Sequence, residues 1–75
     1  MDIEEAELSY EAMIEQATGA FVDFEIRSGT GMLATVSGLP HMVAVALAFL
    51  VNNGLAVVND MEDDFSFADI TLLID

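Results

Sequence analysis

Glu7, Glu11 and Glu15 recur at every fourth position, and Asp60, Glu62, Asp63 and Asp64 crowd into five residues. These carboxylates are the reactive groups the chain has in number. Carboxylate pairs serve as acid and base in glycoside hydrolysis, and acidic runs hold calcium. Neither chemistry fits. A calcium loop begun at Asp60 needs Gly at its sixth position and Glu at its twelfth, where this chain has Phe65 and Thr71. What is left to that run is loose, weak divalent binding, so no metal site is expected. A chain of 75 residues offers little cleft for a sugar, and every acid is equally a surface acid.

Nucleophilic catalysis lacks parts: there is no Cys and no Lys. The single histidine, His41, follows Pro40 at a helix start, where the helix dipole disfavours its proton. Gly29-Thr30-Gly31 lacks the following helix and basic residue of a phosphate-binding loop. No catalytic residue and no cofactor is expected, and the chain does not read as an enzyme.

The net charge is −13, unevenly placed. Eight acids lie in residues 1–25 and six in residues 60–75, while residues 26–58 hold only Arg27 as a formal charge. Such a chain repels nucleic acid and anionic lipid and attracts basic surfaces. A halophilic origin would spread acid over the whole surface, which the acid-free middle argues against. The expected partner is a basic protein surface, such as that of a nucleic-acid-binding protein or nuclease complex. The candidate contact residues are Glu4, Glu7, Glu11, Glu15, Asp23, Glu25, Asp60, Glu62, Asp63 and Asp64. Like charges at i, i+4 cost a helix roughly 0.2–0.5 kcal/mol per pair. The row at 7, 11 and 15 therefore reads as an outward face serving something other than stability, and Gln at all three is expected to leave the fold as stable or more so. The plain alternative is a solvated helix face.

The elements that position these residues follow from periodicity. Residues 2–18 carry Ile3, Ala6, Tyr10, Met13, Ile14 and Ala17 on one helical face. Asp2 with Glu5 reads as a capping box, Ser9 as a second possible start stapled by Leu8 and Met13, and Gly19 as the stop. Residues 20–28 alternate, with Ala20, Val22, Phe24 and Ile26 inward and Phe21, Asp23, Glu25 and Arg27 outward. Arg27 is expected to neutralise Asp23 and Glu25. A turn at Ser28-Gly29-Thr30-Gly31 leads into Met32–Ser37 and completes a β-hairpin. Ser37 and Pro40 signal the next helix, from about Pro40 to Asn53 with Gly54 at its end. A single longer helix to Met61 would enclose Gly54 at about 1 kcal/mol. Leu55–Val58 reads as a strand and Asn59–Asp64 as an acidic connection.

Over residues 65–75, Ile70, Leu72 and Ile74 alternate with Asp69, Thr71 and Leu73, which favours a strand, although Ser66 and Asp69 formally match a capping box. Phe65 and Phe67 fall on the wrong parity, which calls for a bulge near Ala68 or partial exposure. The fold class is α+β, order α-β-β-α-β-β: two helices packed on a small antiparallel sheet in a single domain. No internal repeat or linker is seen.

Leu39 to Val58 approaches the length of a membrane span. Its Pro40, His41, Asn52, Asn53 and Gly54, and its want of Lys or Arg flanks, argue for a buried helix instead. The acidic start Met1-Asp2-Ile3-Glu4-Glu5 is unlike a secretory leader, and the expected location is the cytoplasm. The helix is apolar on every side. Val43, Leu47 and Leu50 face the sheet; Met42, Val45, Ala46 and Phe49 lie on its flanks; Ala44, Ala48 and Asn52 extend the far side. A chain this short buries only about 60% of its unfolded surface. Either a homodimer through Met42, Val45, Ala46 and Phe49 or a covering partner is therefore expected, unless the first helix completes the cover.

In size, charge and α+β outline the chain resembles phage-encoded anti-defence proteins, the small acidic anti-CRISPR and anti-restriction inhibitors. No motif residue transfers. The resemblance implies a non-catalytic inhibitor, acting in the host cytosol, that occludes a nucleic-acid channel. Acids at i, i+4 recur every ~6 Å along a helix, sparser than the ~3.4 Å charge spacing of one DNA strand. Such mimicry would need the 60–64 run or a second subunit beside the helix. The alternative is a small structural or adaptor subunit that self-associates through the helix at 40–53, with its acids serving solubility.

Overall fold

The computed structural model describes residues 2–27 and 32–73. Six elements follow in the order α1 (Ile3–Thr18), β1 (Asp23–Ile26), β2 (Leu33–Ser37), α2 (Pro40–Asn52), β3 (Ala56–Met61) and β4 (Phe67–Leu72). The fold is α+β, with both helices against one antiparallel four-stranded sheet of order β1-β2-β4-β3. The expected turn at Ser28–Gly31 and the last alternating position, Ile74, lie outside the described residues.

Each half of the chain is a helix followed by two strands, and the sheet order reads the same from either edge. The second strands, β2 and β4, meet at the centre with Thr35 opposite Asp69. Glu25 pairs outward from Thr35 and Asp60 outward from Asp69. The architecture thus repeats although the sequence does not.

Strand alternation builds the core. Phe24, Ile26, Ala34, Val36, Ala68, Ile70 and Leu72 turn inward and are buried. From α2, Val43, Ala46, Leu47 and Leu50 pack onto them, and α1 contributes Ile14. Tyr10 stacks on Phe24 with ring centroids 4.7 Å apart. Ala46 was expected on a self-association flank; it is fully enclosed in the core, as its three-residue spacing from Val43 dictates.

The helix ends correct several expectations. Asp2 precedes α1 but its side chain makes no cap bond, and Ser9 lies inside the helix. Ser37 belongs to β2, and Leu39 is the residue before Pro40. At the far end α2 stops as expected, which removes the longer-helix alternative. Gly54 has φ +68°, its N–H donates to Val51 O at 3.1 Å, and Leu55 N–H donates to Leu50 O at 2.8 Å. These are the two bonds of a Schellman cap. They reverse the chain into β3.

β3 is longer than the sequence suggests. It continues through Asn59 and Asp60 to Met61, because one extra residue near Asn59 shifts the register between Val58 and Asp60. The bulge therefore sits in β3, not near Ala68. Phe65 and Phe67 are 51% and 38% exposed, so the second of the two expected outcomes holds for them. Among the described residues no helix is long and apolar enough to cross a membrane.

A side chain at residue 54 would meet no atom within 4 Å, so Gly54→Ala tests backbone conformation alone. Urea unfolding should show a loss of about 1 kcal/mol, since an L-residue resists the left-handed region; Asn should cost less.

Candidate acidic interface

The row Glu7, Glu11, Glu15 does not form one outward face. The amide of Arg27 donates inward to Leu33 O at 2.8 Å, so alternation turns the amides of Phe24 and Ile26 away from β2, at the sheet edge. Glu11 Oε2 accepts from Phe24 N–H at 3.0 Å and Glu7 Oε2 accepts from Ile26 N–H at 2.7 Å. The spacing makes this possible. Four helical residues rise ~6 Å, and two strand residues advance ~6.7 Å. Two successive carboxylates thus meet two successive free amides. Both side chains are only half exposed. This corrects the reading that the row serves something other than stability. The i, i+4 repulsion is offset by charge-assisted bonds, which are about twice as strong as neutral ones.

Glu15, the third of the row, lies beyond the start of β1 and stays exposed, as does Glu4. The amide of Gly19 caps the helix on the backbone oxygen of Glu15, which leaves its carboxylate outside that bond.

A second group of acids lies on the sheet face that the helices leave open. Cross-strand pairing sets Glu25, Thr35, Asp69 and Asp60 in one row across all four strands. Asp23 stands two residues from Glu25 on the same face. Arg27 was expected to neutralise Asp23 and Glu25. Its guanidinium instead reaches over β2 to Asp69 Oδ1, at 2.9 Å. Asp60 and Asp69 are directly opposite, an arrangement that repels, and Arg27 relieves it. Thr35 is 9% exposed, in the row between Glu25 and Asp69. Asn59 shares the outward parity of Val57 and donates to Thr71 Oγ1 at 2.6 Å, and the bulge turns Asp60 to the same side.

A third group extends the sheet at the Asp23 end. Glu62 to Ser66 form the β3–β4 turn, closed by Glu62 N–H to Phe67 O at 2.9 Å and Phe65 N–H to Glu62 O at 3.0 Å. Phe65 takes φ +65°, where Gly is usual. Asp64 Oδ1 accepts from Ser66 Oγ at 2.6 Å and from Ser66 N–H at 3.0 Å. The hydroxyl, then the amide, holds the Asp64 carboxyl below its ordinary range. Glu62, Asp63 and Asp64 are all exposed.

The ten candidate acids therefore divide. Glu7 and Glu11 are committed to the fold. Asp23, Glu25 and Asp60 share the open face with Asp69, which was not among the candidates. Its outward parity beside Ile70 was the signal that could have found it. Glu62, Asp63 and Asp64 lie exposed in the turn at one end of that sheet, while Glu4 and Glu15 lie on α1. Among the described residues no three such groups converge to hold a metal ion. On α2, Met42 and Phe49 are half-buried, and Val45 is 43% exposed beside Ala44, Ala48 and Val51.

No family model matches the chain, and no significant match occurs among curated proteins or solved structures.

Replacing Glu7 and Glu11 together by Ala should cost about 2–3 kcal/mol in urea unfolding, since both bonds involve a charged acceptor. Amide exchange at Phe24 and Ile26 should quicken selectively. Gln at both positions should lose roughly half as much, because a neutral acceptor remains. Ser66→Ala should let the Asp64 pKa rise toward its ordinary value, read by carboxyl chemical shift against pH.

Proposed function

We propose that the chain is a non-catalytic inhibitor that presents an acidic surface to the basic nucleic-acid-binding groove of a partner, in the manner of an anti-CRISPR or anti-restriction decoy. The observation that carries this reading is the uncovered sheet face. Asp23, Glu25 and Asp60 stand exposed on it, Glu62, Asp63 and Asp64 are exposed in the turn at its end, and the cation beside it, Arg27, is already paired to Asp69. Strands ~4.8 Å apart, with same-face residues every ~6.7 Å, form a two-dimensional grid of carboxylates. Glu25 and Asp60, three strands apart, span ~14 Å on this spacing. Such a grid extends in two dimensions, where a single helix face offers one line of charge. Electrostatic pairing of this kind gives fast, salt-sensitive association.

A specific feature favours a second reading, a small adaptor subunit. The outer side of α2 exposes Ala44, Val45, Ala48 and Val51 with no charge among them. In that reading the acids serve solubility, and a second copy covers α2.

The two separate by mutation. Asp23→Asn, Glu25→Gln and Asp60→Asn together should abolish protection of DNA from a panel of RNA-guided and restriction nucleases, leaving melting unchanged. Glu4→Gln should have no effect on either. Protection by the wild type should weaken steeply between 0.1 and about 1 M salt, as the screening length falls from ~10 to ~3 Å. Protection that survives high salt unchanged removes the decoy reading. A dimer in sedimentation that Val45→Glu and Ala48→Glu dissociate, without nuclease protection, would establish the adaptor.

A further inference from the structure

Between α1 and the segment entering β1 lies a hollow of about 240 Å³ lined by Leu8, Glu11, Ala12, Glu15, Phe21 and Val22. Sites for drug-sized ligands begin at about 300 Å³, so this one has the scale of a single side chain. Two observations converge on it. Phe21 and Leu8, 63% and 59% exposed, are the most exposed large apolar side chains among the described residues, and both are walls of the same hollow. Glu11 and Glu15, one helical turn apart, are its acidic walls. Glu11 Oε2 accepts from Phe24 N–H, which fixes its carboxylate and leaves the second oxygen outside that bond.

We infer that this hollow is a socket for one arginine side chain of a basic partner. An arginine is long, apolar along its stem and cationic at its tip. Leu8, Ala12 and Val22 suit the stem. The planar guanidinium presents a fork of donors that matches carboxylates, here Glu15 and the second oxygen of Glu11. An aromatic face attracts the same cation, and Phe21 supplies one. The chain's own guanidinium is held by Asp69 on the open sheet face, so it does not compete. The walls explain their own exposure: Phe21 lies ahead of β1 and Leu8 off the inner face of α1, where neither serves the core. The socket rests on the proposed basic partner but occupies a different surface from the sheet-face acids.

The test is a titration of the full chain with N-acetyl-arginine methylamide, followed by backbone amide and side-chain methyl shifts. N-acetyl-citrulline methylamide, of the same shape without the charge, is the control. The arginine derivative should give saturable shifts centred on Leu8, Ala12, Phe21 and Val22, and citrulline should give none. Phe21→Ala should weaken binding about 2- to 5-fold, the scale of an exposed cation–aromatic contact. Glu15→Gln should weaken it by a similar factor, that of an exposed ion pair. Both residues are exposed, so the variants keep the fold. Shifts spread evenly over every carboxylate, equal shifts from citrulline, or no saturation would overturn the socket. Nuclease protection by the Phe21→Ala, Glu15→Gln double variant keeps the two proposals apart. Loss of the socket in the titration with sheet-face dependence intact refutes the socket alone, and arginine binding without any nuclease protection refutes the decoy alone.

Discussion

An antiparallel sheet ends in amides that no strand completes, and this protein satisfies two of them with carboxylates from a helix. Glu7 on Ile26 and Glu11 on Phe24 do what a fifth strand would otherwise do. The rest of the arrangement depends on that contact. It sets the height of α1 against β1, brings Tyr10 over Phe24, and seats Ile14 in the core. It also blocks the edge against pairing with another chain, the hazard of any open strand. The opposite edge is handled differently. There the bulge near Asn59 breaks the regular ladder of β3, another device that discourages edge-to-edge association.

The charge of the chain is thus sorted by position. Some carboxylates build the fold, one is paired with Arg27, and those on the open sheet face and in the β3–β4 turn remain unneutralised. The inward face of the same sheet is wholly apolar: alternation sends the acids of β1 to the open side, and the bulge at Asn59 re-phases β3 so that Asp60 joins them. The acid-free middle of the chain supplies α2, β2 and the start of β3, which is why the core can exist in a molecule of net charge −13.

Element order, the alternating faces of β1, β2 and β4 and the end of α2 were legible in the sequence, because each rests on a strong local pattern: alternation, the three-and-four spacing, Gly54 after Asn53. The N-terminal caps were not, since Asp2 and Ser37 match cap chemistry without forming a cap bond, and backbone placement decides that. The length of β3 was hidden by Asn59 and Asp60, residues that read as a turn but sit on a bulge. The roles of Glu7 and Glu11 were hidden for a different reason. A row of like charges on a helix looks the same whether it faces water or the amides of a strand far along the chain. Arg27 was placed beside its sequence neighbours Asp23 and Glu25, whereas its partner is 42 positions away. For the candidate site, charge and parity indicated Asp23 and Glu25 and charge alone indicated Asp60, but which acids share a surface is decided by sheet order and by the bulge in β3.

That sheet order has a consequence of its own. Because β1-β2-β4-β3 is palindromic and the two halves of the sheet join by β2–β4 pairing, a helix–strand–strand chain of half this length, pairing its second strand with a copy of itself, would generate the same four-stranded layout. The architecture is that of a tethered pair. Joining the halves lets each carry a different load: one helix is acidic and clamps an edge, and the other bears no formal charge and packs its inner side into the core.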